Sequence, residues 1–387
     1  MDFLRLIETM RSEEASRERL FTESGFVTPR SIRNRSNYRQ LLREALTVLK
    51  TARGSRFGMH RFEEAMTTAD FPLLMGDVLD RQLLGMYQET PVTWPAYVKR
   101  GTVPDFRTVK RFAVDGGEGI LPSVGQLGTY LPAVLSETSY SYSVSKYGRT
   151  LNWSWESFIN DDLDALGSSS PARLARAARR SEEKFVTDLF CGTSGPDGTF
   201  YASGNANIVT SNPALSITAL QTAYSVLGAM TDADSQPILV DMAVLVVPPA
   251  LEVVANNILN ATMIRSTATA GGATGVEIEV VNWMRSRVQL VVNPYIPIVA
   301  SSSNGNTSWF LFASPSVGRP AIEMGFLRGH ESPALFQKAP NQTRVGGSTT
   351  PMDGSFEDDS TAYKVRHVFG GTLLSPKYSV ASNGSGS

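Results

Sequence analysis

Cysteine is almost absent from this chain: Cys191 stands alone among 387 residues. An intrachain disulfide framework is thereby excluded, and the usage fits a reducing compartment. Histidine is nearly as scarce. His60, His330 and His367 lie far apart without metal-ligand spacing, so each reads as a structural side chain. The dipeptide Gly-Lys never occurs, which removes the phosphate-binding P-loop, and there is no G-x-S-x-G elbow. The nearest approach to a dinucleotide loop, GGEGIL at 116–121, lacks its third glycine and does not join a strand to a helix. Neither sign of charge dominates. Lys and Arg number 36 against 37 Asp and Glu, a net charge of -1, so the chain has no overall attraction to nucleic acid or to an anionic membrane. The most apolar window, PILVDMAVLVVPPALEVVANNIL, is broken by Asp241, Glu252 and a proline pair. It falls short of the roughly 20 apolar residues of a membrane span. The opening MDFLRLIETMRSEEASRERL is charged throughout and lacks the apolar core of a secretory signal.

What remains is a globular composition, 42% apolar and 19% charged, in a chain long enough for two compact units or one with long excursions. Residues 1–66 are rich in charge. Between Arg30 and Arg61 nine Arg or Lys stand against the single acid Glu44, a solvated face or a site for an acidic partner or nucleic acid. A short helix is predicted at YRQLLREALTVL, and a second opens at Asp70 and Pro72, carries Leu73, Val78, Leu83 and Leu84, and closes at Pro91 and Pro95.

Beyond Gly101 the period changes to two. FRTVKRFAV and TSYSYSVSKYGRTLNWSW read as strands, separated by the glycine-rich DGGEGILPSVGQLGTYLPAVLSE, which has no strong period. Two strands so joined make an extended hairpin. Such a ribbon is marginal alone in water and needs a partner surface. Tyr140, Tyr142, Val144 and Lys146 occupy even positions, whereas Tyr147, Arg149, Leu151, Trp153 and Trp155 are odd, which predicts a bulge or bend near Gly148.

The most regular helix follows at SSSPARLARAARRSEEKFVTDLFCG, with Ser170 as N-cap, Pro171 in the first turn and Gly192 as the stop. Leu174, Ala178, Phe185 and Leu189 mark its apolar stripe, and Arg179 with Glu183 forms an i,i+4 pair. Another helix is expected in SNPALSITALQTAYSVLGAM. Then come strand PILVDMAVLVV, helix PPALEVVANNILNA, and strands VEIEVVNWM, VQLVVNPYIPIVA, SWFLFASP, AIEMGFLRG and AYKVRHVFGGTLLSP. RSTATAGGATG (265–275) and SSSNGNTS (301–308) are the expected flexible points, and the closing SVASNGSGS is expected to be loose.

Few residues suggest chemistry. Cys191 ends an amphipathic helix and reads as buried and inert. FEDDS at 356–360 reads as a solvated loop before it reads as a cation site. Trp153 and Trp155 are either a sugar platform or packing at the ribbon's root. No cofactor or metal is implied.

The order of parts, with TTADFPLLMGDVLDRQLLGMYQETPVTWPAYVKRGTVPDFRTVKR, YGRTLNWSWESFINDDLDAL, ARLARAARRSEEKFVTDLF, VLVVPPALE, WFLFASP, AIEMGFLRGHESP and YKVRHVFG, resembles the major capsid proteins of tailed phages, in particular the Mu-like major head subunits. The resemblance covers most of residues 67–376; the first 60 or so match nothing in it. It implies an α+β fold of the Hong Kong 97 type. In that fold 67–100 would be the N-arm and 101–150 the E-loop lying across a neighbouring subunit. Residues 151–236 and 363–380 would form the peripheral domain, with a spine helix at 171–191. An axial domain would follow at 237–362 and a flexible tail at 381–387. Subunit contacts would come from Trp94, Tyr97, Arg107, Lys110, Arg111, Glu118, Tyr130, Tyr140, Tyr142 and Lys146. Leu151, Trp153 and Trp155 would pack the E-loop root.

The function so implied is self-assembly, through hexamers and pentamers, into an icosahedral shell around double-stranded DNA, rather than catalysis. Partners would be other copies, a portal, a scaffold or maturation protease, a possible decoration protein and loosely contacted DNA, with assembly in the host bacterial cytoplasm and no membrane. Some relatives cross-link Lys to Asn with help from a Glu; Lys110 and Lys146 are available, but no motif marks the other two residues. An encapsulin-like nanocompartment shell shares the implied fold. A hydrolase or carbohydrate-binding module using the tryptophans is the alternative from another class.

Overall fold

Two kinds of strand build this protein. Strands that alternate polar and apolar residues leave one face in water, whereas strands that are apolar throughout must be covered on both faces. The computed structural model describes residues 83–386, except 116–119, 122, 131, 133–135, 155–169, 233, 239, 241, 271–272, 316–319, 343–344 and 346–353. The helix expected at 38–49, the start of the one expected from Asp70, and the charged segment 1–66 lie outside the described residues.

In chain order the strands are β1 (Lys99–Val103), β2 (Val109–Asp115), β3 (Ser136–Tyr142), β4 (Ser145–Trp153), β5 (Cys191–Gly192), β6 (Gly195–Pro196), β7 (Ala243–Val247), β8 (Met263–Ala270), β9 (Ala273–Val281), β10 (Val288–Val292), β11 (Trp309–Ala313), β12 (Ile322–Leu327), β13 (Ala334–Gln337), β14 (Thr361–Leu373) and β15 (Ser379–Ser382). Helices are α1 (Ser170–Phe190), α2 (Ile217–Gly228), α3 (Glu252–Asn260) and the short α4 (Ile296–Val299). Residues 83–89 are also helical.

The chain divides into two units. The first comprises the described residues up to Pro91, with Ser145–Arg180 and Leu327–Phe369. In it β14 lies between β4 and β13, both antiparallel to it. Odd residues of β14 (Tyr363, Val365, His367, Phe369) are buried, while the even ones Lys364 and Arg366 are exposed or half-exposed. Leu83, Tyr87, Leu174, Ala175, Ala178 and Val365 form the core. Arg179 donates through Nε to the Tyr87 carbonyl at 2.7 Å and lays its guanidinium 3.6 Å over the same ring, a cation–π contact. Tyr147 stacks on Phe369 with ring centroids 4.2 Å apart.

Gly148 has a steric reason here. A Cβ at that position would come 2.6 Å from the Val365 carbonyl oxygen, so β4 and β14 approach closely only because a glycine stands there. The change of parity expected at Gly148 comes earlier. β3 ends at Tyr142, and β4 begins at Ser145 against a different partner strand, so the bend is at 143–144.

The second unit comprises Val92–Val144, Ser181–Phe326 and Gly370–Ser387. Its four-stranded sheet runs β10–β7–β11–β15, with β10 parallel to β7 and the other pairs antiparallel. AVLVV and WFLFA show no alternation because both faces of this sheet are buried. On one face Leu245, Val247, Trp309, Leu311 and Val380 pack with Leu220, Ala223 and Leu227 of α2 and Ala255 and Leu259 of α3. The partners of Phe310 and Phe312 are rings: Phe190 at 4.8 and 5.4 Å, Tyr97 stacked on Phe312 at 5.0 Å, and Tyr201 at 5.7 Å from Phe310. Ser216 caps α2, accepting from the Ala219 amide at 3.2 Å.

Three expectations fail, each for a local reason. The small, polar 265–275 segment is a hairpin rather than a loop: β8 and β9 pair from Met263–Val281 to Ala270–Ala273. Thr267, Thr269, Thr274 and Val276 favour strands, a signal that the Ala and Gly between them dilute. The run VQLVVNPYIPIVA is strand only to Val292. Asn293 then turns the chain by accepting from the Tyr295 amide at 2.8 Å, and Pro297 sits in the first turn of α4. The closing segment is not loose but forms β15, whose Ser379 and Ser382 are fully buried because Tyr201 Oη and the Pro213 carbonyl satisfy their hydroxyls at 2.6 and 2.8 Å.

Candidate assembly interface

Among the described residues β2 and β3 pair only with each other, from Val109–Tyr142 to Asp115–Ser136. This arm is the long hairpin expected from the sequence. Directly opposed residues share a face, so Val109, Arg111, Tyr140 and Tyr142 lie on one side and Lys110, Phe112, Ser139 and Ser141 on the other. Phe112 is 64% exposed. In the segment that joins the strands, Ile120, Leu121, Leu127 and Tyr130 are almost wholly exposed. Exposed aliphatic and aromatic side chains so close in sequence mark a surface meant to be covered.

The arm is fastened at its base by one buried carboxylate. Glu323, on β12 and only 4% exposed, accepts from Arg111 Nε at 2.9 Å and from Tyr142 Oη at 2.7 Å, so each strand of the arm donates to the same oxygen. Arg111 also reaches the Thr102 carbonyl at 3.3 Å. Two glycines make room for the arrangement. A Cβ at Gly101 would meet Glu323 Oε1 at 2.5 Å, and one at Gly325 would meet Tyr142 Oη at 2.5 Å. The Tyr142 phenol is pushed up to about 12, by burial first and then by its bond to the Glu323 carboxylate.

The helix α1 adds a second polar anchor on its buried face. Glu182 accepts from Trp94 Nε1 at 3.2 Å. Glu183 accepts from the Thr93 amide at 2.9 Å and from the Thr93 hydroxyl. Burial raises the Glu183 carboxyl above its ordinary range, against the lowering effect of the Thr93 bonds. Thr187 and Asn293 extend the network at 2.9 Å, and Asn293 also donates to Tyr97 Oη at 3.3 Å.

The residues singled out in the sequence fall into three groups. Trp94, Tyr97 and Tyr142 are buried within this chain, with Arg111 and Tyr140 half-buried on the arm's inner face. Arg107, Lys110, Tyr130 and Lys146 are exposed, Arg107 bonding through its amide to Asp105 at 3.0 Å. Leu151 is half-buried opposite Tyr363, and the backbone of Trp153 pairs with Thr361; the Trp153 side chain, Glu118 and Trp155 lie outside the described residues. Sequence reasoning missed Glu323, Glu182 and Glu183. The signal available was an acid inside an apolar run (AIEMGFL) and acids on the inward side of a helix. Among the described residues no cluster of three His, Cys, Asp or Glu is placed to hold a metal, and no helix is long and apolar enough to cross a membrane.

No curated protein matches the chain in sequence. Solved structures with similarity include a chain of Gordonia phage Cozz (15% identity, TM-score 0.43, covering 73% of this chain and 83% of that one). The capsid asymmetric unit of cyanophage Pam1 is 10% identical, with TM-score 0.43 and coverage of 72% and 86%. The holo-SrpI encapsulin complex from Synechococcus elongatus PCC 7942 is 12% identical, with TM-score 0.42 and coverage of 74% and 85%. The family profile described as phage capsid protein matches residues 137–382, well over half of the chain. The chain therefore belongs to the phage capsid protein family.

Proposed function

We propose that copies of this protein close, as hexamers and pentamers, into an icosahedral shell around double-stranded DNA, and that the β2–β3 arm is the piece each copy lays on a neighbour. In the terms of the Hong Kong 97 fold, 101–150 is the E-loop and α1 the spine helix of 171–191. Residues 67–100 serve as the N-arm, 151–236 with 363–380 as the peripheral domain and 237–362 as the axial domain. The observation that carries the reading is the arm itself, paired to no other strand among the described residues and bearing exposed Phe112, Ile120, Leu121, Leu127 and Tyr130. Covering such side chains yields roughly 1.5–3 kcal/mol each. A contact of that kind is modest alone and decisive when repeated around a closed shell. Arg107, Lys110, Tyr130 and Lys146 supply the polar part of the contact.

The role is structural rather than enzymatic. Portal, scaffold or maturation protease and a decoration protein are the further partners, DNA is contacted without sequence preference, and assembly takes place in the host cytoplasm. Family membership favours the phage shell over an encapsulin-type compartment. Electron microscopy of the purified chain is expected to show closed particles, and deletion of 116–135 is expected to abolish them while circular dichroism stays unchanged. A wild-type chain that remains a monomer at high concentration, or an armless chain that assembles equally well, overturns the reading.

A further inference from the structure

The exposed face of the β13–β14–β4 sheet is strongly basic in a chain that is otherwise balanced. The Lys338 amide donates to the Ala362 carbonyl at 2.8 Å, carrying the β13 register one step past Gln337–Tyr363. Lys338 thus stands level with Ala362, and Lys146 of β4 stands level with Val368. With Lys364 and Arg366 on β14 between them, four cations share one face at successive even levels of the central strand. Each step is roughly 7 Å, so the stripe runs diagonally over three strands for about 20 Å. Phe336 gathers the middle pair, with Lys364 Nζ 5.4 Å and Arg366 Cζ 4.5 Å from its ring centre. The other residues of the face, Gly148, Thr150, Asn152, Ala334, Ala362 and the buried Val368, bear no charge. Among the described residues none of the four cations forms an ion pair, although Asp358 at the margin feels the charge of Lys338.

The complementary charge lies on the arm. Between Phe112 and Ser145 the sequence has three carboxylates, Asp115, Glu118 and Glu137, and no Lys or Arg. Glu137 is exposed on β3. A chain with a net charge of -1 has therefore separated its charge into a basic sheet face and an acidic arm, and every copy carries one of each. We propose that the stripe of Lys338, Lys364, Arg366 and Lys146 receives the acidic, apolar distal arm of a second copy, with Phe336 offering it an apolar footing. The inference rests on the arm leaving its own copy, as in the function proposed above. It names the surface on which the arm lands. A nucleic-acid backbone would match the cations but would leave the arm's carboxylates and exposed aliphatic side chains without a counterpart.

The test uses particles assembled from a mixture of full-length chains with natural and heavy nitrogen, treated with a carbodiimide that joins amines to carboxylates in direct contact. Peptides containing Lys338, Lys364 or Lys146 should be joined to peptides containing Asp115, Glu118 or Glu137 with one label from each chain. Joined peptides carrying only a single label, or arm carboxylates joined elsewhere, overturn the inference. Lys364→Glu with Arg366→Glu should raise the concentration needed for particle formation by about tenfold or more, because like charges then face each other. Asp115→Lys with Glu137→Lys in the same chain should restore it. If the reversed face forms empty particles at full yield but retains less DNA, the stripe is a nucleic-acid surface and the proposal fails. If the armless chain fails to assemble while the joined peptides avoid the stripe, the function stands and only this landing site falls.

Discussion

Removing one oxygen at the base of the arm should loosen the whole ribbon. Tyr142→Phe keeps the ring beside Gly325 and deletes only the hydroxyl that donates to Glu323 at 2.7 Å. A hydrogen bond to a charged acceptor contributes about 1.5–3 kcal/mol, and Glu323 keeps its Arg111 donor at 2.9 Å, so a loss of about 2 kcal/mol is expected. The side chain of Arg111 is 38% exposed, which discounts its part of the ion pair. Glu323→Ala should therefore cost about 3 kcal/mol rather than the full value of a buried pair. Because β2 and β3 have no other strand beside them among the described residues, the readout belongs on their own amides. Hydrogen exchange at 109–115 and 136–142 should speed up roughly 30-fold in Tyr142→Phe, the factor that about 2 kcal/mol implies. In the Glu323→Ala background the same substitution should be neutral or slightly protective, since the buried hydroxyl has already lost its acceptor. Acceleration below about threefold, or strict additivity of the two substitutions, would refute the account of the arm as held by a shared carboxylate.

Three further outcomes follow from the buried polar groups and a close backbone approach. Burial raises the folded-state pKa of Glu183 above the ordinary 4.5, so its unfolded form ionises first and stability declines as pH rises from there through the raised value. Glu183→Gln should lack that limb; parallel melting curves for both proteins between about pH 4 and pH 8 would contradict it. The Cys191 thiol is pushed up to about 12 by burial and by the charges of Asp188 and Asp197, so iodoacetamide at about pH 8 should label it only after unfolding. Gly148→Ala should cost about 1–3 kcal/mol by driving β4 away from Val365, and an unchanged melting temperature would mean that the close approach is not needed.

Much of the fold can be read from the chain because its signals are local. The period-two ribbon, the Ser170–Pro171 start of α1 and the apolar runs at 243–247 and 309–313 each announce themselves within a dozen residues. The anchors at Glu182, Glu183 and Glu323 do not. Their partners Trp94, Thr93, Arg111 and Tyr142 lie 88 to 212 residues away, and an acid satisfied at that distance looks locally like any solvated carboxylate. The same cause hid β15: serines signal a loop until Tyr201 and Pro213 are seen to take up their hydroxyls. On α1 the stripe predicted through Phe185 and Leu189 is only half-buried at those two positions, because the carboxylates and Val186, Thr187 and Phe190 occupy the inward side.

The position of β15 bears on the order of synthesis. Its neighbour β11, and β7 and β10 beyond, all leave the ribosome before residues 379–382 exist, and until then Trp309, Leu311 and Val209 lack Val380 and Ala381 beside them. The second unit is completed only once β15 has been made. A copy cut short of β15 would expose that unfinished edge of β11, so loss of 379–382 should destabilise the second unit.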